Sequence, residues 1–144
     1  MGNGMIKDSV NYGNHYTLRT VGTITSTVEV SAEDIDNFLS AALEGGITYW
    51  CSYARGNFKD WPENVEYLSQ CLTRGYDIFL YDAEDICDDG SPSEYILTLS
   101  AMIRGIEKYC DEHNVSFYDL REDHDAEACD CIVQYALFGR LVYG

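Results

Sequence analysis

The stretch YDIFLYDAEDICDDGSPSEYILTLS, residues 76–100, decides the fold. Two β-prone runs, YDIFLY (76–81) and SEYILTLS (93–100), flank the polar segment DAEDICDDGSP. That pattern predicts an antiparallel hairpin with an acidic tip.

Working outward, helical and β patterns alternate. Upstream, DWPENVEYLSQCLTRG (60–75) predicts a helix. Asp60 and Glu63 form a capping box, Pro62 suits the first turn and Gly75 stops it. Its apolar stripe is Trp61, Val65, Leu68 and Leu72. ARGNFKD (54–60) reads as a loop and ITYWCSY (47–53) as a strand.

Before these, Ser31 caps a helix over 31–46, with Glu33 and Asp34 at the positive end of its dipole. Ile35, Phe38, Leu39, Ala42 and Leu43 recur at helical spacing. Gly45 and Gly46 are expected to end that helix in left-handed geometry. YTLRTVGTITSTVEV (16–30) is rich in Thr, Val and Ile and reads as β structure. Residues 1–15 read as a flexible arm.

Downstream of the hairpin, 99–114 predicts a helix with Leu99, Met102, Ile103, Ile106 and Cys110 inward. Residues 115–123 read as an extended link. A last helix over 125–139 turns Cys129, Ile132, Val133, Ala136 and Leu137 to the core, and RLVYG closes the chain as helix end or edge strand. The expected fold class is α+β, in the order β-α-β-α-β-β-α-α. It places a mostly antiparallel sheet of about four or five strands under about four helices, all within one domain over 16–144.

Charge narrows the function. The chain of 144 residues carries 25 acids against 9 bases, a net charge of −16. Residues 75–144 hold sixteen acids and four bases, so −12 of that charge lies in the second half. An acidic balance of this size excludes a direct nucleic-acid binder and disfavours anionic membranes. No apolar run approaches the roughly 20 residues that span a bilayer, and the start has no apolar signal core. The expectation is a cytoplasmic protein whose six cysteines are reduced.

Chemistry-bearing motifs are sparse. Cys110-x2-His113 and Cys129-x-Cys131 resemble zinc spacing, but positions 129 and 131 lie about 200° apart around a helix axis, so no metal is expected. His124, Asp123 and Asp125 in REDHDAE read as an acid-decorated helix start. There is no G-x-S-x-G, Walker loop or G-x-G-x-x-G. The sequence therefore predicts no enzyme and no cofactor.

Two clusters remain. Asp82, Glu84, Asp85, Asp88, Asp89 and Glu94 sit on the hairpin without a base between them. They could form a negative surface that occupies a basic groove, meeting its Lys and Arg as nucleic-acid phosphates do. Trp50, Tyr53, Arg55, Lys59 and Trp61 form the second cluster. They would suit a stacked nucleotide whose phosphate rests on Arg55 or Lys59, in a pocket compatible with a homodimer interface.

Three segments carry a resemblance: EDIDNFLSAALEGGITYWC, LTRGYDIFLYDAEDI with YILTLSAMIRGIEKY, and CDCIVQYALFGRLVYG. Together they resemble small proteins encoded by phages and prophages of gut-type bacteria, with an ALEGGxxYWC-type motif. The resemblance spans about residues 28–144 and implies a viral accessory gene acting in the host bacterial cytoplasm. By analogy at the level of gene type, such a product blocks host defence by binding. The acidic surface would make it a nucleic-acid mimic that inhibits an effector such as an anti-phage CRISPR nuclease. The aromatic cluster would instead make it a sponge for a cyclic nucleotide signal.

Overall fold

The structure, a computed structural model, describes residues 19–24 and 26–144. Its elements are α1 (Ala32–Ala41), β1 (Cys51–Gly56), β2 (Ile78–Ile86), β3 (Pro92–Leu97), α2 (Leu99–His113), α3 (Phe117–Glu122) and α4 (Ala126–Phe138). The α+β class stands, but the sheet has three antiparallel strands, in the order β1-β2-β3.

The hairpin forms as its pattern predicts. Phe79 pairs with Ile96, Tyr81 with Glu94 and Asp82 with Ser93. β2 runs further than expected, into the acidic segment, and the register shifts between Asp82 and Ile86 before Ile86 meets Pro92. A tight turn closes the end: the Gly90 N–H donates to the Cys87 carbonyl at 2.9 Å, and Gly90 has φ 87°.

The order of elements departs from expectation at four places. Residues 19–24 and 26–30 contain no strand, and Val21 and Ile24 are 87% and 99% exposed. A β-branched composition fits a pleated surface only where a neighbouring strand accepts it, and among the described residues none does. The arm over 1–15, with 16–18 and Thr25, lies outside the described residues. Residues 47–50 form a turn rather than a strand, which shifts β1 onward and puts Arg55 on a strand instead of in a loop.

Residues 60–75 make two short 3-10 turns, Leu68–Gln70 and Leu72–Arg74, in place of a helix. Pro62 disfavours helical geometry at Trp61. The Gln70 side chain accepts the Glu66 and Tyr67 N–H groups at 2.8 and 3.1 Å, and the Trp61 indole donates to the Val65 carbonyl. These local bonds compete with the helical ladder. Gly75, at φ 98°, does end the segment. The supposed link 115–123 contains α3, capped by Ser116, whose hydroxyl accepts the Asp119 N–H at 3.1 Å.

α1 starts on a true capping box. The Ser31 hydroxyl accepts the Asp34 N–H, and Asp34 accepts the Ser31 N–H at 2.9 Å. Burial works against ionised Asp34, but the two Ser31 bonds and the Arg121 guanidinium outweigh it and hold its pKa below the usual value. The end of this helix corrects the expectation. Ala42–Gly46 is a π turn, and neither glycine has positive φ. Gly46 is needed for space: a Cβ there would lie 2.4 Å from the Ala126 carbonyl oxygen.

α2 shows the same crowding. Its buried residues are Ala101, Met102, Gly105 and Ile106, while Leu99 and Ile103 are 38% and 42% exposed. The stripe is rotated towards the small residues because α4 passes close. A Cβ on Gly105 would sit 2.4 Å from the Ile132 carbonyl. The buried side chains of α1, α2 and α4 form one cluster with Trp50 and with Ile78, Leu80 and Leu97 from the inner sheet face. No helix among the described residues is long and apolar enough to cross a membrane. RLVYG forms neither helix nor strand.

Candidate functional site

The six expected acids do not share one environment. Asp82 is fully buried and leaves the surface set. Its carboxylate accepts the Tyr95 hydroxyl at 2.8 Å, the Tyr143 hydroxyl at 2.5 Å and the Glu84 N–H at 2.9 Å. Alternation on β2 dictates this, since Ile78, Leu80 and Asp82 all face inward. Burial, then the adjacent Asp82 charge, raises the Tyr95 and Tyr143 phenols above their usual range.

Glu94 is exposed but compensated. It accepts the Tyr81 hydroxyl and stands 3.7 Å from Arg55. The remaining four acids, Glu84, Asp85, Asp88 and Asp89, are exposed at the hairpin end. Among the described residues none of the four is ion-paired with a lysine or arginine. Asp85 accepts the Ser93 hydroxyl at 2.9 Å, and Asp89 accepts the Ser91 hydroxyl and N–H at 2.6 and 3.0 Å. The Ser91 bonds lower the Asp89 pKa, so it stays ionised. The result is an exposed acidic end in which hydrogen bonds hold the Asp85 and Asp89 carboxylates.

No family model, curated protein or solved structure matches the chain.

The aromatic cluster is not gathered into a pocket. Trp50 is fully buried, donates its indole N–H to Asp130 at 2.9 Å and stacks on Tyr143 at 5.4 Å. It is a core residue, which corrects its place in a ligand site. Trp61 packs edge-on against Phe58, Arg55 lies over Phe79, and Lys59 is exposed. Tyr53 borders a shallow depression with Leu43, Ile47, Thr48 and Leu68, without Arg55 or Trp61.

Sequence reasoning missed a buried polar lock. Asp130 accepts the Trp50 indole N–H, the Gln134 amide at 2.9 Å and the Tyr49 hydroxyl at 2.6 Å. The Gln134 oxygen accepts the Val142 and Tyr143 N–H groups, each at 2.8 Å, and its amide also donates to the Tyr143 carbonyl. Asp82, Asp130 and Gln134 are thus tied together through Tyr143. All three segments that carry the resemblance contribute to it. The available signal was an acid and an amide four residues apart in helix four, beside an apolar stripe. A depression of about 730 Å³ lies over the lock, lined by Gly46, Tyr49, Asp130 and Tyr143 among others. Of its lining, Tyr49, Asp130 and Tyr143 are already bonded within the lock.

His124 packs edge-on against Phe38 and bonds the Arg121 carbonyl at 3.2 Å. Burial pushes the Cys129 thiol up to about 12 and raises those of Cys51, Cys71, Cys110 and Cys131. Such thiols behave as small hydrophobes. Among the described residues no group of three or more His, Cys, Asp or Glu side chains is placed to hold a metal ion.

Proposed function

We propose that this protein acts by binding, and that the end of the β2–β3 hairpin occupies a basic, nucleic-acid-binding groove on another protein. The resemblance to phage-encoded proteins makes an inhibitor of a host defence effector, such as a CRISPR nuclease or restriction enzyme, the reading that fits best. One observation carries it. Glu84, Asp85, Asp88 and Asp89 are exposed together on a hydrogen-bonded turn, and no described cation neutralises them. Asp85 and Asp89, already held by Ser93 and Ser91, meet arginine and lysine through charge-assisted hydrogen bonds at little ordering cost.

The test is displacement of labelled DNA from a purified effector nuclease, followed by fluorescence anisotropy. The protein should displace DNA at low salt and lose potency as salt rises. Reversing Glu84, Asp85, Asp88 and Asp89 to lysine should weaken it at least about tenfold. Asp82 is left out, because Asp82→Lys would break the core. Undiminished displacement by the reversed protein refutes the proposal.

A further inference from the structure

An antiparallel sheet with one face in water ordinarily shows polar residues there. The outer face of this sheet instead sets aromatic and aliphatic side chains around one Arg55–Glu94 pair. The register sets two rows across it, Arg55–Phe79–Ile96 and Tyr53–Tyr81–Glu94. Tyr53 and Ile96 are 61% and 53% exposed. The Arg55 guanidinium lies 4.2 Å from the centre of the Phe79 ring, and its Nε donates to the Tyr81 hydroxyl at 2.9 Å. Tyr81 in turn donates to Glu94. The central charges therefore cancel, and the rings are held in place before any partner arrives.

We propose that this outer sheet face is the apolar centre of the docking surface, with the acids of the hairpin end as its rim. The occupant is a protein segment that carries lysine or arginine around an exposed apolar side chain. This rests on the reading above for the rim and adds what lies at its centre. Aromatic residues and arginine are enriched at the energetic centres of interfaces, with charge at the margin. Net charge argues against a second copy of this chain as occupant: each copy carries −16, and like charges repel.

Two synthetic peptides of equal positive charge separate the possibilities: an oligolysine, and one alternating lysine with leucine. Calorimetry should show the alternating peptide binding at least about tenfold more tightly. That gap should persist from about 50 to about 300 mM salt, where charge alone is screened. Ile96→Ser and Tyr53→Ser together should close the gap and leave oligolysine binding unchanged. Both side chains are more than half exposed, and thermal unfolding checks that the variant is folded; Ile86→Ser is a second variant on the same face. Equal affinity for the two peptides overturns the apolar centre while the acidic docking reading stands. Failure of both peptides to bind overturns both. A dimer that buries the face makes a second copy the occupant and overturns the inference.

Discussion

Gln134 carries more of the molecule than its neutral amide suggests. It joins α4 to the last residues through four hydrogen bonds to Asp130 and to residues 142 and 143. Replacing Gln134 with leucine strands two backbone N–H groups and removes one donor from a buried carboxylate. Urea unfolding should register a loss of about 3 kcal/mol, since each buried polar group left unpaired costs about 1–3 kcal/mol. Gln134→Glu should be at least as damaging, because it sets a second carboxylate against Asp130. Asp82 gives the same lesson from the other side. Its place in an acidic run suggested a surface charge, but strand alternation turns it inward, where hydroxyls from β3 and the tail meet it. Charge composition is legible at the residue level. For Asp82 the signal is the alternation of Ile78, Leu80 and Asp82; for the acids beyond it the direction depends on the register shift that follows, which no local signal marks.

At the scale of elements, glycine reports contact between helices. Gly105 and Gly46 each face a carbonyl oxygen that an added Cβ would approach to 2.4 Å. Gly105→Ala raises helix propensity by about 1 kcal/mol, but the clash with Ile132 and Ala136 should outweigh it. The expected net loss is about 2 kcal/mol in chemical denaturation, a typical figure for overpacking. A gain in stability would show that α2 and α4 can separate. The same contacts explain which elements were readable. α1, α2 and α4 have N-caps, at Ser31, Thr98 and Asp125, and an apolar period of their own. Residues 60–75 have similar local signals, but Pro62 and the Gln70 side chain break the ladder. Residues 19–30 have β propensity, which becomes a strand only when another edge takes it.

For the molecule as a whole, pH should act from the alkaline side. Burial, then the hydrogen bond to Asp130, pushes the Tyr49 phenol from 10.0 up to about 12, and burial beside Asp82 raises Tyr95 and Tyr143 as well. A raised folded-state pKa means that the unfolded chain releases its proton first. The stabilisation is complete below about pH 10 and declines as pH rises towards and beyond 12. Tyr49 is half exposed, so water screens part of its share. Thermal unfolding followed from pH 9 upward should show a midpoint that falls above about pH 10; a flat profile would contradict the buried pairs. Asp34 has the opposite sign. Its contribution is present at neutral pH and is lost as acid protonates it below its lowered folded-state value. Fold class and hairpin were readable because they arise from local pattern. The lock was not, because its hydrogen-bonded pairs lie up to 85 residues apart.

That separation has a consequence for synthesis. A ribosome delivers Asp82 and Tyr95 well before it delivers Val142 and Tyr143. Until those last two emerge, Asp82 lacks one of its hydroxyl donors and the Gln134 oxygen lacks both amides it accepts. The nascent chain can wind its helices and zip its hairpin early, yet the lock stays open until Val142 and Tyr143 have emerged. Truncation before Val142 would release a product whose helices can wind but whose lock lacks these bonds.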